Sequence, residues 1–499
     1  MNSTFRRKSA FILLIGLVLS LGLSAQDPYA GVKKAVQTIT DHPDLEHAQW
    51  GFVLQEASSG TTIIAHQPDQ TLLPASTMKT VTSAAALGLL GENYTFKTHL
   101  EIDGPIENGV LQGNVYLRGG GDPSLGSDRF SWGTDMEGVL AIWVNKLREK
   151  GIRKIDGRVI GDATIFEDAM LATTWVWSDI GNYYGSGACG LSFNENTYYV
   201  FFKPHAKVGE PAELLRTEPD MAAIDFVNEM RTGARGSGDQ GYIYGAPYTY
   251  LRYLRGTIPQ GKAEFSIKGS LPDPALYTAQ RLREALLADS VAVTGDAETI
   301  RRLRLDNAAP TAPRTVLHTH KSPPLKDIVY WLNKKSINLY AEHLVKIIGY
   351  EKYQDGSTAA GTKAILAYWR GKGVDIGGLH MKDGSGLSRY NGITPAQLSK
   401  MLRINQQQGY FKSFYESLPI AGVSSDPGTL RRMCKNTAAA NNLRAKSGYI
   451  SRVRAYTGYV DTQSGKRLCF AMMANNYTGS NRAMRDLFEA LMVALADVK

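Results

Sequence analysis

The sequence predicts an α+β protein in which a domain built from both ends of the chain carries a large, strand-rich insertion. Three observations lead there. The 499 residues exceed one domain on the usual scale of about 100–200 residues each. Both ends mix amphipathic helical stretches with alternating strand runs. From about Phe96 onward the character changes to short strands broken by glycine, and helical periodicity returns only after a Pro310-Thr311-Ala312-Pro313 join. The expected division is 26–95 and 318–499 for the composite domain, with 96–317 inserted.

The elements follow in order. Residues 1–25 have the form of a signal peptide: Arg6, Arg7 and Lys8, then an apolar run from Phe11 to Leu23, then Ser24-Ala25. The run is roughly 15 residues, short against the about 20 that a membrane span needs. The mature chain is therefore expected to be exported, periplasmic and free of a stable membrane span. Residues 29–40 read as a short helix, and 49–57 and 61–65 as strands joined at Ser58-Ser59-Gly60. Pro74-Ala75-Ser76-Thr77-Met78-Lys79-Thr80 opens a small-residue helix that Gly91 stops. In the middle, 98–102, 110–117, 158–162 and 198–202 read as strands, and 140–149 and 273–289 as helices. Glycine and polar residues over 233–245 suggest an exposed loop. Beyond the join, 325–333, 339–348, 358–372 and 395–406 read as helices. Residues 443–450, 455–461 and 468–474 read as strands, and 481–497 closes the chain as an amphipathic helix.

Composition narrows the function. The net charge of +9 suits an anionic polymer or membrane surface. The basic residues are nevertheless scattered, with only Arg301-Arg302-Leu303-Arg304 and Arg431-Arg432 as small clusters. That is too little for a nucleic-acid groove. Cys189, Cys434 and Cys469 form no C-x-x-C pair and have no histidine at metal-ligand spacing. No metal and no organic cofactor is expected.

Three motifs carry chemistry. Ser76 and Lys79 lie three apart at a helix start, on one face. A hydroxyl beside an amine at the positive end of a helix is a candidate nucleophile and base. Alone, the pair reads more readily as a capped amphipathic helix. Lys335-Ser336-Ile337-Asn338 falls at a junction of two helices, where Ser and Asn also serve as caps. Lys446-Ser447-Gly448 falls on a strand. In this order, S-x-x-K, S-x-N and K-S-G match the set of penicillin-binding proteins and β-lactamases.

Further stretches narrow the resemblance: Gly119-Gly120-Gly121-Asp122-Pro123-Ser124-Leu125, Ala188-Cys189-Gly190-Leu191-Ser192-Phe193-Asn194-Glu195-Asn196, Ser336-Ile337-Asn338-Leu339-Tyr340-Ala341-Glu342 and Asp383-Gly384-Ser385-Gly386-Leu387-Ser388-Arg389. With them nearly the whole mature chain resembles the D-alanyl-D-alanine carboxypeptidases/endopeptidases, the low-molecular-mass class C penicillin-binding proteins of peptidase family S13. Ile337 stands where that family often has Asp, and Ser447 where it often has Thr. The resemblance implies a β-lactamase-like antiparallel sheet flanked by helices. It also implies that the roughly 260 residues between Ser76 and Ser336 hold a second domain with a third nested in it, at about 190–270.

The same resemblance implies the chemistry. Ser76 attacks a D-Ala-D-Ala peptide carbonyl, and Lys79, held partly neutral by burial and a cationic neighbourhood, takes the proton. Lys446 is a second cation, Ser336 relays a proton to the leaving amine, and Asn338 orients Lys79 or the substrate amide. Ser447 binds the terminal carboxylate with Lys446, Gly448 admits the substrate backbone, and the N–H groups of Ser76 and Tyr449 form the oxyanion hole. Arg389 and Asp162 are candidates for the charged end of a diaminopimelate-type side chain, against a structural turn or salt bridge. Asn194 and Asp122 read as turn-formers. Peptidoglycan peptides are the expected partners and β-lactams the expected inhibitors. A secreted β-lactamase or esterase is one alternative, and a non-catalytic wall-binding protein another. Glu342, Glu351 and Glu416 all lack the E-x-x-L-N context of a deacylating base, which favours a protein that penicillin inhibits.

Overall fold

The computed structural model describes residues 27–130 and 135–499, so the signal-like segment lies outside the described residues. The chain ends build one five-stranded antiparallel sheet in the order Arg444–Ile450, Val453–Asp461, Arg467–Asn475, Gln49–Glu56, Thr62–His66. The two central strands come from opposite ends of the sequence, with Trp50 facing Ala474 and Leu54 facing Phe470.

Period-2 alternation explains why this sheet is apolar on both faces. Phe52, Leu54, Phe470 and Met472 pack beneath the helices Ala30–Thr40 and Asn481–Ala496, against Val32, Ile39, Phe488 and Leu491. Cys469, Ala471 and Met473 point to the opposite face, where the core contains Met78, Val81, Leu325, Ile328, Tyr340 and Leu344. At the centre of that layer lies the helix Met78–Leu90, with every residue from Met78 to Leu87 buried. Its Ala-, Ser- and Thr-rich sequence lets the helices Leu325–Lys335, Asn338–Tyr353 and Thr358–Gly371 pack close around it.

The chain leaves this domain through Lys97–Ile102 and returns through Thr315–Lys321. These two strands pair antiparallel with Lys97 opposite Lys321, so both crossings lie side by side. They join Val115–Arg118, Val159–Asp162 and Glu298–Thr299 in a five-stranded mixed sheet. The helices Met136–Glu149 and Pro274–Ala288 pack on it, and their core is separate from the cores of the first domain. On the returning side, residues 318–321 still pair with the strand at the entry.

Within residues 197–270 lie a three-stranded sheet and a four-stranded sheet. One difference from expectation falls here. Residues 233–245 are not a loop throughout: Gln240–Tyr244 is a strand pairing antiparallel with Leu251–Pro259. Its alternation is short, with Ile243 buried between exposed Tyr242 and half-buried Tyr244, and neighbouring glycines mask it. All three cysteines are free and buried. Among the described residues no helix is long and apolar enough to cross a membrane.

Candidate active site

The central residue is Ser76, in a 3-10 turn, Ala75–Thr77, directly before the buried helix. The turn is strained at Ala75, whose φ of 45° is left-handed for a residue with a Cβ. Thr77 ties the turn shut, its hydroxyl donating to Pro74 O at 2.7 Å. Two glycines let neighbouring backbone close on it. A Cβ on Gly386 would sit 1.8 Å from Ala75 O, and one on Gly448 would sit 2.6 Å from Pro74 O.

One helical turn on, Lys79 is fully buried and its Nζ reaches three oxygens: Ser76 Oγ at 3.0 Å, Asn338 Oδ1 at 2.6 Å and Ser385 O at 2.7 Å. The Asn338 amide is oriented by its other end, where Nδ2 donates to Tyr184 O at 2.7 Å. Asn338 Oδ1 and Ser385 O can only accept. A neutral Lys79 amine therefore spends its two N–H bonds on them and turns its lone pair toward Ser76 Oγ. Burial pushes Lys79 down to about 7, against the opposing pull of the Glu342 and Asp383 carboxylates. Burial is thus the first cause of the depression. The expected cationic neighbour is Lys446, itself held well below the ordinary lysine range by burial first and the Lys79 charge second.

The carboxylates behind Lys79 shape the loop that supplies Ser385 O. Glu342 accepts the N–H groups of Gly384 at 3.1 Å and Ser385 at 2.8 Å. Asp383 accepts from Gly386 N, Ser388 N, Asn391 Nδ2 and Trp175 Nε1, all within 2.8 Å. Burial, reinforced by the Asp383 charge, raises Glu342 above the usual carboxylate range.

On the other side of Ser76, Ser336 ends the helix Leu325–Lys335 in left-handed geometry, φ 59°. Lys446 Nζ donates to Ser336 Oγ at 2.9 Å and to Ser447 O at 2.7 Å. Ser447 Oγ lies 2.7 Å from Thr429 Oγ1. The strand bearing Lys446, Ser447, Gly448 and Tyr449 is the edge of the sheet; Ile420 bridges its outer side at Arg444, and past Ala445 no described strand pairs there, a geometry that suits an extended peptide.

Ser76, Ser336, Asn338, Tyr449 and Arg389 line one cleft of about 980 Å³, together with Asp179. Arg389 draws the Asp179 carboxyl down against the larger upward push of burial. Asp162 lies apart from this cleft. It is a buried strand residue that accepts Arg314 Nη1 at 2.7 Å and the Thr164 N–H at 3.0 Å. With its oxygens spent inside the inserted sheet, it is a structural salt bridge and not a partner of Arg389. Asn194 does form a turn, with φ 51°, and Asp122 accepts the N–H and hydroxyl of Ser124.

Sequence reasoning missed Asp179, Tyr184, Thr429 and the Ser385 carbonyl. Asp179 sits in an aromatic stretch with no motif, and a backbone carbonyl has no residue signature.

A family model described as the D-Ala-D-Ala carboxypeptidase 3 (S13) family matches residues 32–498. The chain is 32% identical over 479 residues to the D-alanyl-D-alanine carboxypeptidase of Actinomadura sp. (strain R39), covering 93% of this chain and 84% of that one. It is 24% identical over 439 residues to the D-alanyl-D-alanine carboxypeptidase DacB of Haemophilus influenzae, covering 87% and 86%. The crystal structure of penicillin binding protein 4 (dacB) from Haemophilus influenzae superposes with a TM-score of 0.77 at 23% identity, over 93% of this chain and 98% of that one. The same protein complexed with a β-lactam superposes with a TM-score of 0.71 at 21% identity, over 93% and 98%. The α+β, penicillin-binding-protein-like fold is thereby shown.

Proposed function

The chain belongs to the D-Ala-D-Ala carboxypeptidase 3 (S13) family, and from that premise we propose a serine-type D-Ala-D-Ala carboxypeptidase/endopeptidase acting on peptidoglycan stem peptides through an acyl-enzyme on Ser76. The observation that carries the reading is the buried Lys79 amine, with two pure acceptors holding its N–H bonds and Ser76 Oγ on the remaining side.

In the acylation step Ser76 Oγ forms a bond to the D-Ala carbonyl carbon, and its proton passes to Lys79 Nζ. The N–H groups of Ser76 and Tyr449 take the developing oxyanion, where losing one such donor typically lowers the rate by about 100- to 1,000-fold. Ser336 Oγ delivers a proton to the leaving nitrogen as the C–N bond breaks and takes one back from Lys446 Nζ, 2.9 Å away. Ser447 and Thr429 hydroxyls, beside Lys446, receive the carboxylate of the leaving residue. Water then hydrolyses the ester and restores Ser76.

Arg389, with Asp179 in place of Asp162, offers a cation and an anion on one wall of the cleft. That pair suits a side chain ending in both an ammonium and a carboxylate, as a diaminopimelate-type residue does. Glu342 faces Lys79 from behind with its oxygens committed to Gly384 and Ser385, which takes it out of use as a base for rapid deacylation. Benzylpenicillin should therefore leave a long-lived ester, in keeping with the β-lactam complex of the Haemophilus influenzae protein. The N-terminal segment supports export to the periplasm with cleavage after Ala25.

The test is intact mass after incubation with benzylpenicillin. A stable adduct on Ser76 that Ser76→Ala abolishes, with D-Ala released from a pentapeptide, supports the reading. Rapid drug turnover without an adduct points to a β-lactamase, and neither adduct nor turnover to a non-catalytic protein.

A further inference from the structure

Ser76 lies where two grooves meet. The first is the cleft with Asp179 and Arg389, in which the cations Arg129, Lys268, Lys335 and Arg389 face the carboxylates Asp179 and Glu195. Arg129 there is already neutralised by a two-point ion pair with Glu195. The second groove, about 790 Å³, runs from Ser76 and Ser447 between the Pro427–Thr429 segment and the helix Asn481–Ala496. Its charge is one-sided: Lys335, Arg431, Arg432, Arg454 and Arg485 against the single carboxylate Glu489.

Part of that positive charge is spent locally. Arg485 pairs with Asp486, and Arg454 bonds the Asn481 side chain while lying over the Tyr449 ring. Lys335, Arg431 and Arg432 have no ion-pair partner among the described residues. Like charges collected in a groove without counterions raise the local concentration of an anionic ligand.

The groove's direction follows from the acyl-transfer reading, on which this inference rests. Ser447 receives the carboxylate of the leaving residue, so everything beyond Ser447 faces the leaving group. A departing alanine brings one carboxylate and fills a small part of the groove. We propose that the Arg431–Arg432 groove is a leaving-group subsite for a second, carboxylate-bearing stem peptide, the one joined to the first through the scissile cross-link. Cross-link cleavage forms the same acyl-enzyme on Ser76. The amine that departs with the proton from Ser336 then belongs to that second peptide, whose free carboxylates lie along the arginines.

The experiment compares kcat/KM on a purified cross-linked muropeptide dimer and on the monomeric pentapeptide, for wild type, R431Q/R432Q and R431K/R432K. Two partly screened charge contacts predict about a tenfold loss on the dimer for the Gln pair, a loss under about twofold on the monomer, and recovery in the Lys pair. Raising ionic strength should slow the wild type on the dimer more than on the monomer. Unchanged benzylpenicillin acylation in each variant verifies that the site is folded. Equal losses on both substrates, no loss on the dimer, or a wild type unable to cleave the dimer would each overturn the subsite. A wild type that forms no Ser76 adduct and releases no D-Ala overturns the acyl-transfer reading itself, and the subsite with it.

Discussion

With Lys79 as the proposed proton acceptor, the rate of acylation should break near neutrality, because burial lowers its pKa to about 7. The perturbation is pH alone. A depressed lysine is a usable base above its folded pKa and is lost as a base below it, so acylation should rise from acid toward neutral pH and then level. With a midpoint of about 7, the neutral fraction is about 1% at pH 5 and about 90% at pH 8, a span near two decades for a one-proton step. An unperturbed lysine would still be gaining tenfold per pH unit at pH 8. The assay is stopped-flow or quench measurement of benzylpenicillin acylation from pH 5 to 9, read as adduct on Ser76. Glu342 and Lys446 titrate in the same cluster, so the observed midpoint belongs to the group. A plateau by about pH 8 supports Lys79 as the base. A rate rising without a break through pH 9, or flat from pH 5, would refute it.

Other outcomes follow from the same geometry. Glu342→Gln keeps an acceptor for the Ser385 N–H and removes a charge that holds Lys79 up, so the acid limb should move to lower pH; a shift upward contradicts the assignment. Gly448→Ala places a Cβ 2.6 Å from Pro74 O and 3.1 Å from Ser76 N. Acylation should fall by about 100-fold, the scale of losing an oxyanion donor, and the thermal midpoint should fall as well, because the atom struck is backbone and must shift. Asp179→Asn and Arg389→Gln should each lower kcat/KM about tenfold on peptides with a charged third residue, while an uncharged peptide and benzylpenicillin react as before. Lys334→Met removes the partner of Asp426, both side chains at most 3% exposed. An uncompensated buried carboxylate costs about 3–5 kcal/mol, to be read from urea unfolding.

Most elements were legible because their periodicity is local. The helix Pro395–Gln406 has its Thr394 cap and Gln397 capping box within four residues, and 468–474 is an unbroken apolar run because helices cover both of its faces. Pairing was not legible. Nothing in residues 49–56 specifies a neighbour over 400 positions away, yet the pairing of Gln49 with Asn475 holds the two ends in one sheet. The pairing of His318 with Leu100, where the chain returns from the insertion, was illegible for the same reason.

The site divides along a similar line. Ser76, Lys79, Ser336, Asn338 and Lys446 could be picked out because each acts through its own side chain, and a side chain is spelled in the sequence. What makes Lys79 a base is spelled elsewhere. The Ser385 carbonyl takes one of its N–H bonds, and that carbonyl is aimed by Glu342 and Asp383 binding the backbone around it. The loop can press against the nucleophile turn only because Gly386, at φ 83°, has no Cβ to strike Ala75 O. Asp162 is the converse case. It was a candidate for the charged end of a diaminopimelate-type side chain, but Arg314, some 150 residues on, satisfies it. A charged residue in sequence is an offer of an interaction, and only the fold decides whether a substrate or another side chain accepts it. Asp179 lines the cleft, and among the described residues its carboxylate accepts only the long Tyr184 hydroxyl contact of 3.4 Å, which leaves it as an offer to the cationic substrate group proposed above.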